Sequence, residues 1–258
     1  MVRGSPAATL TGRLGFGVDI GGSGMKAAIV DLVTGELASE RIRIPTPKPA
    51  TPPAMAAVAA ELVRGHGWTA SIGVGFPGIV RHGVVHSAAN LDPSWVGVDA
   101  DTVFTDACGV DVAMVNDADA AGLAEMRWGA GRDVDGVVLV LTFGTGIGSG
   151  LFVDQTLVPN TELGHLELDG SDAEVHAAAS ARDRDGISWK QWAPRVERYL
   201  RHVEMLFSPD LLIVGGGASK SAAKWLPRLA LDTPIVPAAM ANNAGIAGAA
   251  LVARHAGI

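Results

Sequence analysis

Three times along this chain a short apolar run ends directly in a cluster of glycines. Phe16 to Ile20 meets Gly21-Gly22-Ser23-Gly24, Val137 to Phe143 meets Gly144-Thr145-Gly146-Ile147-Gly148-Ser149-Gly150, and Leu211 to Val214 meets Gly215-Gly216-Gly217. Runs this short, closed by turn residues, read as buried strands. A glycine turn after a strand lets backbone N–H groups approach an oxyanion with no side chain in the way, which is what a phosphate grip requires. Any one cluster taken alone is more simply a turn. Three of them at strand ends shift the balance toward phosphate.

Between the clusters, strands and helices alternate. Met25 to Leu32 resumes an apolar run and turns at Thr34-Gly35, giving strand, tight turn, strand. Five prolines occupy the nine positions 45–53, which suits an extended connector, and Met55 to Arg64 then has helical composition. Ile72 to Phe76 is a strand closed by Pro77-Gly78; Val112 to Val115 is another, ending at Asn116-Asp117 ahead of a helix from Ala118 to Trp128. Ser188 to Phe207 sets Trp192, Val196, Tyr199, Leu200, Val203 and Phe207 at helical spacing. This order predicts an α/β fold with open sheets. A chain of 258 residues can bury two modest cores, so two lobes are expected, 13–117 and 118–243, with a helix over 244–258 returning to the first. The Gly, Ser, Pro and Thr of the first dozen residues predict a loose leader.

Charge and composition remove several function classes. A net charge of -7 disfavours nucleic-acid binding through general electrostatics, so a polyanionic ligand must meet a local basic patch. The single cysteine, Cys108, forms no intrachain disulfide, and no Cys and His cluster has zinc spacing. The longest apolar run, near Val137 to Phe143, is far too short to span a bilayer, and the start lacks the apolar core of a signal peptide. A cytoplasmic protein with no nucleic-acid or membrane partner is expected.

The glycine clusters fit neither familiar phosphate motif. No G-x-x-x-x-G-K-[ST] occurs around Gly21 to Lys26, and the third glycine of a G-x-G-x-x-G would fall on Ser149 or Leu151. Asp19, at the end of the first strand, can hold Mg2+ through water or bond its own turn. Asp117 and Asp119 are rival carboxylates at a strand-to-helix junction: one could take a proton from an attacking hydroxyl, the other could cap the helix. Residue type alone leaves that choice open. Asn116, beside them, can donate and accept. Glu162, His165 and Glu167 fall within six residues, close enough to bond several hydroxyls of one sugar or to form a solvated loop. Asn90 adds a candidate amide, and Trp95 is either a stacking face or a core anchor.

Taken together, these segments resemble the bacterial ROK sugar kinases, and within them the branch of polyphosphate glucokinases. Asp19-Ile20-Gly21-Gly22-Ser23-Gly24-Met25-Lys26 looks like that family's first phosphate motif, and Leu141-Thr142-Phe143-Gly144-Thr145-Gly146-Ile147-Gly148 like its second. Val115-Asn116-Asp117-Ala118-Asp119 resembles the catalytic segment, which implies Asp117 as the general base. The resemblance further implies that Gly78, Asn90, Asn116, Glu162 and His165 bind the sugar, and that Gly215, Gly216 and Gly217 pack against a nucleotide. It implies a two-lobed actin-like, ribonuclease H-like fold, each lobe a mixed sheet with helices, and a homodimer that moves phosphate from polyphosphate or ATP to glucose with Mg2+. Many ROK kinases carry a Cys-rich zinc motif after the segment matching Glu162 to His165; this chain has no cysteine there, so no structural zinc is expected. An ATP-only hexokinase with another sugar, or a non-catalytic sugar sensor, would look similar.

One further feature concerns a long anionic donor. Arg195, Arg198 and Arg201 line up at i, i+3 on the long helix, with Lys190, His202, Arg182 and Arg184 nearby. They form either a ridge that guides polyphosphate or a solvated face balanced by Glu197 and Glu204.

Overall fold

The computed structural model describes residues 12–88 and 91–253. The expected leader up to residue 11, Asn90, and residues 254–258 of the expected last helix lie outside the described residues. The chain groups into two compact units, one from the described parts of Met1–Ala124 and Asn243–Ile258, the other from Glu125–Asn242.

In the first unit, β1 (Leu14–Gly21) and β2 (Gly24–Asp31) form an antiparallel hairpin in unbroken register, from Leu14 opposite Asp31 to Gly21 opposite Gly24. The two-residue turn Gly22-Ser23 closes it, a loop length that suits the strand twist. β3 (Ile42–Ile44) pairs antiparallel with β2, and β4 (Ile72–Phe76) joins β1 in parallel. After a small hairpin of β5 (Val80–Arg81) and β6 (Val84–Val85), β7 (Val112–Asn116) adds in parallel to complete the order β3-β2-β1-β4-β7.

Side-chain alternation gives this sheet two different faces. Phe16, Val18 and Ile20 of β1 and Ile72, Val74 and Phe76 of β4 are buried together with Met55, Leu62 and Val63 of the helix Pro52–Gly65 and with Phe104 of the helix Ala100–Cys108. Trp95 belongs to the same core, fully buried, with its indole N–H donating to the Ala50 carbonyl at 2.8 Å. It is a core anchor.

The opposite face is floored with glycine. A Cβ at Gly17 would stand 1.9 Å from the Ile246 carbonyl oxygen, and one at Gly73 only 1.8 Å from that of Ala249. The helix Ala244–Val252, sequence AGIAGAALV, therefore lays its backbone directly on β1 and β4. Its own Gly248 does the same to Ala120, where a Cβ would stand 1.6 Å from the carbonyl oxygen.

The second unit repeats the sheet. β8 (Val137–Phe143) and β9 (Ile147–Val153) form the hairpin, and β10 (Thr156–Val158) is the antiparallel edge. A short pair, β11 (Glu167–Leu168) and β12 (Ser171–Asp172), stands apart, while β13 (Leu211–Gly215) and β14 (Ile235–Pro237) add in parallel, giving β10-β9-β8-β13-β14. The helix Trp189–Phe207 starts at a capping box in which the Ser188 hydroxyl accepts from the Gln191 N–H and the Gln191 side chain accepts from the Ser188 N–H. Its stripe of Trp192, Val196, Tyr199, Leu200 and Val203 is buried against Phe143, Leu212, Val214 and Trp225.

On the other side of that helix the arginine ridge is ion-paired. Arg195 meets Asp185 at 2.6 Å, Arg201 meets Glu197 at 3.1 Å, and Arg198 meets Asp169. Arg182 and Arg184 pair with Asp183 and Asp185. Glu125 is a fully buried carboxylate of this unit, accepting from the backbone N–H of Ala130, Ala239 and Met240 at 2.9, 3.0 and 2.7 Å. Those three donors offset the cost of taking its charge out of water.

Backbone-on-backbone contact leaves no room for a methyl group. Gly73→Ala is expected to lower stability by about 1–3 kcal/mol, the usual cost of overpacking, read as a fall in the thermal midpoint. Gly65→Ala is the control: a Cβ there meets only Ile42 at 3.6 Å, so the midpoint holds or rises.

Candidate active site

In the first unit the end of β1 carries Asp19, directly opposite Lys26 on β2, and Lys26 Nζ lies 3.2 Å from Asp19 Oδ2. Asp19 also faces the start of the helix Ala244–Val252: a Cβ at Gly245 would stand 3.0 Å from its Cγ. On the other side of Asp19 in the register is Gly75 of β4, and the side chain that Gly75 lacks would meet the Cα of Asp117 at 3.6 Å. That is ordinary contact distance, and it places Asp117 over Gly75 on the sheet face that carries Asp19.

Asp117 opens the helix Asp117–Trp128. Asn116, at the end of β7 and 5% exposed, caps that helix: its Oδ1 accepts from the N–H of Ala118 at 2.9 Å and of Asp119 at 3.0 Å. Its Nδ2 donates to the Gly78 carbonyl at 3.1 Å. Gly78 is itself pinned, since a Cβ there would stand 2.1 Å from the Ser87 carbonyl oxygen. Asn116, Gly78 and Asp117 are therefore held together, with both ends of the Asn116 amide bonded to backbone. The two rival carboxylates differ in access: Asp119 is 0% exposed, whereas Asp117 is half-buried. Asp117 is the more exposed of the two.

In the second unit the loop between β8 and β9 carries Gly144, Thr145 and Gly146, with the Gly144 N–H donating to the Gly146 carbonyl at 2.9 Å. Nothing stands within 4 Å of where a Gly144 Cβ would be. Ser180 fixes the loop from beneath, donating its N–H to the Gly144 carbonyl at 3.0 Å and its hydroxyl to that of Thr145 at 2.5 Å. Thr142 on β8 pairs in register with Gly215 on β13, and Gly216, at φ 74°, sits where a Cβ would come within 2.6 Å of the Phe143 carbonyl oxygen. The second and third glycine clusters are thereby neighbours.

The segment with Glu162 and His165 is laced to the same hairpin. Ser149 Oγ donates to the Thr161 carbonyl at 2.6 Å and accepts from the Leu163 N–H at 3.0 Å, and Thr161 Oγ1 donates back to the Ser149 carbonyl at 3.1 Å. Gly164 rests on Ile147, whose N–H donates to Glu174 Oε2 at 2.9 Å. His165 Nδ1 lies 2.8 Å from Asp172 Oδ2, and its Nε2 lies 4.0 Å from Glu162. The hydrogen bond to Asp172 is the main force that raises the His165 pKa; the carboxylates of Glu174, Asp172 and Glu162 add to it against desolvation. Burial raises the pKa of Glu162, with Glu174 adding and His165 opposing. Glu167 stands exposed on β11, opposite Asp172 in the register, and joins none of these described contacts.

Asp172, Glu174, Ser149 and Ser180 were not singled out by the sequence. Asp172, Glu174 and Ser180 lie after Glu162 in what reads as an ordinary loop, and Ser149 reads only as a member of the second glycine cluster. Among the described residues, no group of three or more His, Cys, Asp or Glu side chains is placed to hold a metal ion.

Comparison with known proteins places the chain. The ROK family profile matches residues 15–182. A polyphosphate glucokinase of Mycobacterium tuberculosis is 53% identical over 248 residues, covering 96% of this chain and 93% of that protein. One from Mycobacterium leprae is 50% identical over 246 residues, 95% of this chain and 76% of its own length. The crystal structure of an inorganic polyphosphate/ATP-glucomannokinase from Arthrobacter sp. strain KM superposes with a TM-score of 0.90 at 54% identity, covering 94% of this chain and 98% of that one. A ROK family glucokinase from Streptomyces griseus, in complex with glucose and AMPPNP, gives 0.77 at 26% identity, with 94% and 99% covered. The actin-like fold of the ROK sugar kinases accounts for the two mixed sheets and their order. Profile, identity and superposition agree along most of the chain, which belongs to the ROK family.

Proposed function

We propose that this protein is a glucokinase that transfers the terminal phosphate of inorganic polyphosphate or ATP to the 6-hydroxyl of glucose. The observation that carries this is the likeness to polyphosphate glucokinases at 53% identity over 96% of the chain. Asp117 accepts the proton of the attacking hydroxyl, which is a poor nucleophile without a base. It opens a helix at the end of β7, next to Asn116. Glu162 and His165 bond sugar hydroxyls, with Gly78, Asn90, Asn116 and Glu167 completing the set. The backbone of Gly21 to Gly24 with Lys26, and of Gly144 to Gly146 with Thr142, holds phosphates, and Gly215 to Gly217 pack against the nucleotide when ATP is the donor.

Mg2+ on the donor phosphates supplies charge neutralisation when bound. A hard cation of this kind takes one or two carboxylates plus phosphates rather than a protein cage, and Asp19, sharing its sheet face with Asp117, fits that role through water. The proposal extends to a cytoplasmic homodimer without structural zinc. Among the described residues no helix is long and apolar enough to cross a membrane. The arginine ridge, with carboxylates already bonded to it, is better explained as a solvated face than as a polyphosphate track.

Glucose 6-phosphate formation, followed in parallel with nucleotide-free polyphosphate and with ATP, tests the function directly. Turnover on polyphosphate is expected; turnover on ATP alone reduces the function to an ATP-dependent hexokinase, and glucose binding without turnover on either makes it a sugar sensor. Asp117→Asn should cut kcat by about 10²-fold or more with glucose affinity kept in calorimetry. Activity within a few-fold of wild type would remove Asp117 as the base.

The His165–Asp172 bond gives a pH signature. A folded pKa raised above the ordinary 6.5 means that protonated His165 stabilises the fold. That contribution is full below about 6.5 and lost as pH rises through the folded value. Asp172→Asn should lower the His165 pKa in an NMR titration, and the stability gap to wild type should be present in acid and close on the alkaline side.

A further inference from the structure

We infer that Arg43 binds the phosphate donor beyond the three phosphates that ATP also carries, and so favours polyphosphate over ATP; this rests on the phosphoryl-transfer function proposed above. Register sets Asp19 opposite Lys26 and Lys26 opposite Arg43, so the three side chains stand in one row across β1, β2 and β3 on one face of the sheet. Like charges directly opposite each other are unfavourable unless an anion answers them. Lys26 has Asp19. Among the described residues Arg43 pairs with no carboxylate: its Nη2 donates to the Ser23 carbonyl at 2.5 Å and lies 3.3 Å from the Ser23 hydroxyl. The ridge arginines, by contrast, are each matched.

The guanidinium lies over the first glycine turn, in the space where a Cβ on Gly24 would come within 2.4 Å of its Nε. Both bonds to Ser23 are made by Nη2 alone, and the group carries five N–H donors in a fork that matches phosphate oxygens. The turn is open on its Gly22 side, where nothing stands within 4 Å of a would-be Cβ. On that side lies a groove of about 260 Å³ whose wall has Gly22, Thr46 and Lys48 together with Asp92 and the apolar Ala50 and Leu91, with Arg43 outside it, and the Thr46 hydroxyl donates to the Gly21 carbonyl at 2.5 Å. A phosphate chain held at the turn meets Lys26 first and Arg43 next, toward the edge strand β3. ATP ends its charge after three phosphates and continues as a nucleoside; polyphosphate carries charge on at every unit.

Initial rates of Arg43→Ala and Arg43→Lys, with polyphosphate and with ATP, decide the matter. Arg43→Ala is expected to raise the polyphosphate KM about tenfold, the scale of one charge-assisted hydrogen bond, with kcat and the glucose KM held within about twofold. The ATP KM should move less than about twofold, Arg43→Lys should fall between, and added salt should shrink the effect. An unmoved polyphosphate KM overturns the inference. So does an equal loss with both donors, the mark of a guanidinium that only braces Ser23. Wild-type protein that uses ATP but not polyphosphate also overturns it, and wild-type protein inactive on both takes the proposed function down with it. Only active wild type beside an unaffected Arg43→Ala isolates the failure to Arg43.

Discussion

Where the helix Ala244–Val252 meets β1 and β4, the carbonyl oxygens of Ile246 and Ala249 occupy the space in which side chains of Gly17 and Gly73 would begin. Such proximity requires glycine, and it brings the start of the helix to the carboxylate of Asp19. The next glycine along β4, Gly75, faces the Cα of Asp117 at ordinary contact distance. Asp19 owes its place beside the start of the helix to the side chains missing from Gly17 and Gly73. The second unit uses the same device: Gly164 on the backbone of Ile147 and Gly146 against Glu174 draw the Glu162–His165 segment onto the glycine loop. A methyl at Gly17, Gly73 or Gly164 displaces backbone, and one at Gly146 displaces the Glu174 carboxylate, and the polar groups nearby move with it.

The two sheets share one order, a hairpin with an antiparallel edge strand on one side and two parallel strands on the other. In each, the hairpin's own connection is a glycine turn. An in-register hairpin fixes its turn far better than a free loop does, because every pair along the ladder must slip for the turn to shift. The buried aromatic group of Phe143, Trp192, Tyr199 and Trp225 anchors the turn end of the second hairpin, with ring centroids 5.1–6.3 Å apart where they meet edge to face. Rigid turns of this kind suit phosphate, whose recognition depends on several N–H groups aimed at once.

Much of this was legible in the residues. Ile72–Phe76 and Val137–Phe143 end where the apolar runs end, since a buried strand followed by Pro-Gly or by glycine has no competing helical pattern. The stripe on the long helix was equally plain. Less legible were features that depend on partners distant in sequence. Glycines alternating through β1 and β4 were visible, yet only the packed helix shows that they form a floor. Asn116 carries no sign of being a cap rather than a free amide, and Asp117 and Asp119 are the same residue type two positions apart; burial alone separates them. Trp95 could stack on a sugar or fill a core until Phe76 and Phe104 are placed beside it. Glu125 gave no warning, because its three backbone donors come from a turn just after it and from a stretch over a hundred residues away.

A chain with a net charge of -7 that takes a polyanion as substrate must create attraction locally, and clustering arginines does not suffice. The ridge on the long helix is dense in positive charge, but its cations are bonded to Asp185, Asp169 and Glu197, so its field at a distance is largely cancelled. Around the first glycine turn the balance differs. Asp19 answers Lys26, whereas Arg43 meets only the oxygens of Ser23, which leaves a net positive charge beside backbone N–H groups and open space. What decides where a phosphate chain settles is the charge left over after internal pairing, and that quantity appears only when strand register has brought each side chain to its neighbours.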